Sequence, residues 1–241
     1  MSTFEKCFMK NLGESQQAED FMTKLLKREA KGILKNVTNV ALNPKYFKMG
    51  DILCQSVETG KLVSFDVKDD SVWADGLPIP LDGCGKSFSQ YHGSGNILAE
   101  EYVKRYRDTP CEGYEKEENG KKYVKTEEGN MLSDYGYVVI FSWIGRCALI
   151  VDFPKWQQVY DNPDFGREYK KYHPEEHSYT YGYLNSIESL VEAGVVVAKI
   201  HFTFDEDKGY FTKEDKEHYS NPRITKYEVY EQWLNCNEKA A

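Results

Sequence analysis

Two short runs decide the reading of this chain: Gly50-Asp51-Ile52-Leu53 and Leu62-Val63-Ser64-Phe65-Asp66-Val67-Lys68. Both are rich in the aliphatic and β-branched residues that suit a pleated, half-buried surface. Glu58-Thr59-Gly60 lies between them, so the expectation is two strands, over residues 51–56 and 61–68, joined by a tight turn. Side chains of a strand alternate between its faces. Leu62, Ser64, Asp66 and Lys68 therefore share one face, while Val63, Phe65 and Val67 point the other way, into a core. Fourteen residues separate Asp51 from Asp66. Two carboxylates can hold a hard divalent cation, which prefers oxygen ligands. A lysine beside them can orient a water or stabilise charge on a phosphate. That set of groups suits hydrolysis of a phosphodiester.

The flanking sequence supplies partners for such a hairpin. Phe21, Met22, Leu25 and Leu26 recur at helical spacing, so residues 13–31 read as an amphipathic helix ended by Gly32. Residues 36–48 read as a loop broken at Asn43-Pro44. Residues 71–95, rich in Gly and Pro, suggest a short strand and a long loop, and residues 96–107 a helix. Residues 112–130 are strongly charged, with Asn119-Gly120 as a hairpin turn. The most apolar runs, 135–143 and 146–153, read as buried strands, followed by a short helix opened by Pro154. Beyond them come a polar, aromatic stretch over 161–179 with a loop around Asn162-Pro163, a helix over 184–193 stopped by Gly194, a strand over 195–204 and a terminal helix over 226–235. This alternation predicts an α/β fold, a mixed β-sheet flanked by helices.

The order Glu19, Gly50-Asp51, Asp66-Val67-Lys68 resembles the PD-(D/E)xK nuclease superfamily, whose fold is called restriction-endonuclease-like. Glu19 matches the first-helix glutamate, Asp51 the strand-start aspartate, and Asp66 with Lys68 the D/E-x-K pair. Gly13, six residues before Glu19, is similar to the entry of archaeal Holliday-junction resolvase-type cores. Met49-Gly50 stands where the superfamily often carries a proline. The resemblance covers residues 13–160 and implies a nuclease-like core over 1–160, with a C-terminal α+β extension over 161–241 packed on it. It also implies a metal-dependent endonuclease acting on DNA. Mg²⁺ or Mn²⁺ would be held by Asp51, Asp66, the Val67 carbonyl and Glu19, and Lys68 would complete the catalytic set. The alternative is a catalytically inactive protein of the same fold that binds nucleic acid or protein, such as a phage accessory factor or a subunit of a larger complex.

Charge bears on the partner. The chain of 241 residues carries a net charge of -8, which argues against a surface coated for nonspecific nucleic-acid binding. Its first fifty residues nevertheless hold nine Lys/Arg against five Asp/Glu. Lys24, Lys27, Arg28, Lys31 and Lys35 are dense enough for a basic stripe that could contact phosphates. A homodimer is compatible with the sequence. Six cysteines without C-x-x-C spacing, and no long apolar run, suggest a cytoplasmic protein with reduced thiols and no membrane partner. His173-Pro174-Glu175-Glu176-His177 fits a zinc-peptidase pattern in letters only, because its flanks lack an apolar helical stripe. Tyr169, Tyr172, Tyr179, Tyr181 and Tyr183, with basic neighbours, read as packing aromatics or as a stacking platform for unpaired bases.

Overall fold

A computed structural model of the chain describes residues 16–69, 96–142, 146–203 and 223–230, apart from positions 17, 29, 47, 48, 110, 111, 130, 132, 134 and 175. A helix over residues 18–28 (α1) comes first. It is followed by β1 (Leu34–Asn39), a 3-10 turn (Pro44–Tyr46), β2 (Ile52–Ser56), β3 (Leu62–Asp69) and β4 (Asn96–Arg107). Next are β5 (Tyr114–Glu118), β6 (Lys121–Glu128), β7 (Tyr137–Ser142), β8 (Cys147–Asp152) and α2 (Phe153–Gln157). The last are β9 (Gly166–His173), β10 (Ser178–Ser186), α3 (Ile187–Glu192), β11 (Val196–Thr203) and β12 (Arg223–Val229). The fold is thus α/β, with mostly strands and few helices.

The strands form two sheets. The first runs β1-β2-β3-β7-β8-β11-β12 and is mixed, because β3 pairs with β7 in parallel while its other neighbours are antiparallel. Its middle strands are apolar on both faces, as expected of strands covered from both sides. Val139, Phe141, Ala148 and Ile150 meet Ala18, Phe21, Met22 and Leu25 of α1 in one core. Phe21 packs edge-on to Phe141, which stacks on Phe202 with ring centroids 5.2 Å apart. The intervening residues Val138, Ile140, Leu149 and Val151 enter a second core on the opposite face.

That second core joins the two sheets. The second sheet, β5-β6-β4-β10-β9, is antiparallel throughout, and its strand β4 sends Ile97 and Ala99 against Val138, Ile140, Phe153 and Trp156. Asp152 caps α2 by accepting from the Lys155 N–H, with Pro154 in the first turn. The cap turns Trp156 inward, where its ring N–H donates to Asn185 of β10 at 2.8 Å. Asn185 in turn donates to the Tyr160 carbonyl. Ser186 caps α3, which Gly194 follows with φ +66°.

Several expectations hold: the β2–β3 hairpin, the Asn119-Gly120 turn with positive φ at both residues, the two buried strands β7 and β8, and the short helix after Asp152, while the helix expected over 184–193 is confined to α3 because residues 184–186 pair in β10. Others are corrected. Residues 96–107 form a long strand, not a helix, because Ile97, Tyr102, Val103 and Tyr106 favour a pleated surface and β4 gains ladders on both edges. Residues 36–39 belong to β1 where a loop is expected, while the loop expected around Asn162-Pro163 is present as turns ahead of β9. Residues 226–229 belong to β12 and not to a terminal helix, since Ile224, Tyr227 and Val229 sit on an edge ladder against β11. The division at residue 160 does not follow the sheets: β11 and β12 complete the first, while β9 and β10 complete the second. Residues 71–95 lie outside the described residues.

Candidate functional site

The site forms where β2 and β3 part. Their pairing runs from Gln55↔Leu62 to Ile52↔Phe65 and stops there. The Asp51 N–H still donates to the Phe65 carbonyl at 2.8 Å, and the Asp51 carboxylate then takes over as acceptor for the Val67 N–H at 2.7 Å. A side chain thus substitutes for the next rung of the ladder. In an extended residue the N–H and the C=O point to the same strand edge, so the Val67 carbonyl also faces Asp51. Gly50 makes the departure possible. Its φ is +100°, and a Cβ there would lie 2.7 Å from the Phe65 carbonyl oxygen. A proline could not adopt that φ.

Asp66 and Lys68 lie one and three residues beyond Phe65, in register with Val138 and Ile140 of β7. The strand parity read from the sequence is therefore observed. Asp66 is 3% exposed. The Lys68 ammonium reaches its Oδ2 at 2.9 Å, off the hydrogen-bonding direction, so the contact acts as an ion pair. Burial alone would pull the Lys68 ammonium down, but the charge of Asp66, helped by Tyr135 and Asp51, raises it above the usual lysine range.

Glu19 projects from the first turns of α1 and is 6% exposed, with Oε2 meeting no hydrogen-bond partner. Burial, with the charges of Asp51, Asp20 and Asp66, pushes its carboxyl up to about 7. Burial and the charge of Asp66 likewise raise Asp51 to about 6, although the Val67 N–H and Lys68 oppose the shift. Three carboxylates are therefore held in one electrostatic neighbourhood with a single lysine among them. Among the described residues, no three His, Cys, Asp or Glu side chains are grouped closely enough to hold a metal ion by themselves. The oxygen donors that could share a cation are Asp51, Asp66, the Val67 carbonyl and Glu19.

The raised carboxyls set a pH dependence. A carboxyl whose folded value exceeds its unfolded one binds a proton in the fold that the unfolded chain has already lost, so stability falls as pH rises between the two values. For Asp51 and Glu19 that window runs from about 4 to about 7. Glu19→Gln should raise stability at pH 8 by on the order of 2 kcal/mol and flatten the decline across this window. Thermal denaturation from pH 4.5 to 8 checks it, and an unchanged pH slope in the variant would refute the assignment.

The structure adds one residue that the sequence reading missed. Tyr135, just before β7, packs against Phe153 with ring centroids 5.4 Å apart. Burial and the nearby Asp66 raise its phenol. No local motif marks it, since it reaches the site only through the β3–β7 pairing.

The basic stripe is exposed as expected, but it runs away from the carboxylates. Lys24 lies about 8 Å from Glu19 along the helix axis, and Lys27 and Arg28 about 12 Å or more. Lys35 is opposite Gln55, at the far end of the β1–β2 ladder from Ile52. The histidine pattern is a hairpin turn: His173 ends β9, His177 has φ +47°, and their rings meet Thr180 and Tyr172 respectively. The tyrosines form a self-neutralising lattice on the second sheet. Tyr102 stacks on Tyr181 at 4.9 Å, and Lys104 and Lys170 lie over Tyr181 while pairing with Glu115 or Glu118. With lysines already on the Tyr102 and Tyr181 rings, the lattice reads as packing and not as an open stacking platform. Cys54 and Cys147 are buried thiols, and burial pushes the Cys54 thiol up to about 12. No helix among the described residues is long and apolar enough to cross a membrane.

Comparison with protein-family models, with curated proteins and with solved structures gives no match to this chain.

Proposed function

We propose that the chain is a metal-dependent nuclease of PD-(D/E)xK type that hydrolyses phosphodiester bonds in DNA. The observation that carries the reading is the placing of Asp51 at the parting of β2 and β3, its carboxylate on the Val67 N–H and beside the Asp66–Lys68 pair. The order of α1, the β1-β2-β3 meander and the parallel β7 supports the same reading.

The donor set fits a hard cation. Buried Asp66 and half-buried Asp51, which repel each other, and Glu19 with an orphaned oxygen form an environment that added positive charge would relieve. Asp51, Asp66 and the Val67 carbonyl, completed by water and with Glu19 acting through one of those waters, would hold Mg²⁺ or Mn²⁺, and the cation would neutralise charge on the phosphate. Lys68 orients the attacking water and stabilises charge developing on the phosphate oxygens. Of the exposed basic residues, Lys24 is nearest the carboxylates and would contact a phosphate flanking the site, while Lys27, Arg28, Lys31 and Lys35 would meet phosphates farther along the strand, adding a salt-sensitive term without base preference.

One observation favours a second reading, a nuclease-fold protein that binds without cleaving: Lys68 is closed onto Asp66, so a cation must displace it. A nicking assay on supercoiled, branched and single-stranded DNA separates the two. Cleavage with Mg²⁺ or Mn²⁺ that EDTA abolishes is expected, and binding without cleavage under every metal condition would establish the second reading.

A further inference from the structure

A cleft of about 560 Å³ opens beside Glu19, lined also by Gln16, Asp20, Asn39, Leu42 and Asn43. Its size falls in the range of small-molecule sites. Its lining is chemically sorted. Glu19 is buried at the wall of the cleft, and its Oε2, which has no partner, is itself shielded from solvent. Asp20 is held in place by the Asn39 side-chain N–H at 2.8 Å, and Asn39 is itself fixed by accepting from the Ala41 N–H. The Asn43 side-chain oxygen accepts from the Lys45 N–H, which commits the oxygen and leaves the amide N–H₂ as a donor. Leu42, 65% exposed, adds an apolar surface. Carboxylate acceptors therefore stand near amide donors, with a flat apolar contact beside them.

We infer that this cleft receives one unpaired nucleobase next to the scissile phosphate, and that it favours bases carrying an exocyclic amino group. Two carboxylates disfavour a phosphate but accept well from the amino groups of cytosine or adenine, and the amides of Asn43 and Gln16 can donate to the adjoining ring nitrogen or carbonyl. Thymine would present a carbonyl oxygen to the same carboxylates. Leu42 covers the face of the base. The inference rests on the nuclease reading for what brings a nucleic-acid strand to Glu19, and it predicts a single-stranded or locally opened substrate.

The test is fluorescence anisotropy of the full chain with labelled oligo(dC), oligo(dA) and oligo(dT) of equal length, at pH 8 so that Glu19 is ionised and in EDTA so that cleavage plays no part. Oligo(dC) and oligo(dA) are expected to bind at least about fivefold more tightly than oligo(dT). Asp20→Asn combined with Asn43→Ala should bring the three within about twofold of one another, with circular dichroism confirming the fold. Equal affinities in the wild type, no binding of any oligonucleotide, or a preference that survives both substitutions would each overturn the inference. Mg²⁺-dependent nicking without base preference would sink the cleft and spare the nuclease reading. Base preference without nicking under any metal would do the reverse.

Discussion

Asp66→Ala and Lys68→Ala are each expected to abolish Mg²⁺-dependent nicking, by at least about a hundredfold, while both proteins still fold. The two substitutions act for different reasons. Asp66→Ala removes a carboxylate that is 3% exposed and frees Lys68 into solvent, so it deletes a cation ligand without stranding a buried charge. Lys68→Ala strands Asp66 instead, and breaking a well-buried pair in this way costs about 3–5 kcal/mol. The Lys68 side chain is 42% exposed, and solvent screening lowers that figure to about 1–2 kcal/mol. Lys68→Ala should therefore lose stability as well as activity, whereas Lys68→Arg keeps the charge and separates the two effects. Urea midpoints read beside nicking rates provide the check. Wild-type nicking in either alanine variant would mean that the activity comes from another site or from a contaminant, and the nuclease assignment would fail.

Trp156→Ala should have the largest effect on stability, about 4 kcal/mol or more. The ring is fully buried between the sheets, against Phe153 and the second core. Its loss leaves a cavity and also removes the donor to Asn185, itself fully buried. An unmatched buried acceptor adds about 1–3 kcal/mol to the packing loss. Trp156→Phe isolates that second contribution, because it restores much of the volume and none of the hydrogen bond. A domain of this kind is stable by only about 5–15 kcal/mol, so the alanine variant should sit near the edge of folding at 37 °C. A denaturant midpoint for Trp156→Ala within error of the wild type would show that the second core does not unite the sheets.

What could be read from the sequence was short-range. Gly60 and Asn119-Gly120 announced their turns through the backbone angles they permit, and Pro154 and Gly194 marked helix ends for the same reason. The parity of Asp66 and Lys68 followed from β geometry alone. The failures share a different cause. The run Ile97–Tyr106 carries apolar residues that satisfy a helical or an extended pattern equally, and only pairing with β10 and β6 decides between them. The tyrosines of β9 and β10 look polar in letters, yet their rings pack on one another and Tyr179 and Tyr181 lie under the Lys170 ammonium, as part of a sheet. Tyr135 could not be found, because its nearness to Asp66 exists only once β7 lies beside β3. The basic stripe was read correctly as exposed, but its direction depended on the docking of α1, which the spacing of lysines does not encode.

The parallel pairing of β3 with β7 has a consequence for how the chain reaches this state. Asp69 ends β3 and Tyr137 opens β7, and β4, β5 and β6 lie between them in the chain. The rung that places Asp66 beside Val138 therefore closes a long loop, and its entropic cost must be met before the contact returns any energy. The β2–β3 hairpin, which carries Asp51, Asp66 and Lys68, can form early and locally, as can β5–β6, whereas the flanking of Asp66 by β7 and the approach of Tyr135 wait for the late, slow closure. During synthesis Asp51 and Asp66 leave the ribosome well before β7, so a chain halted at residue 130 would carry both aspartates without the strand that orders them. Refolding experiments should show secondary structure returning ahead of any function that depends on Asp66.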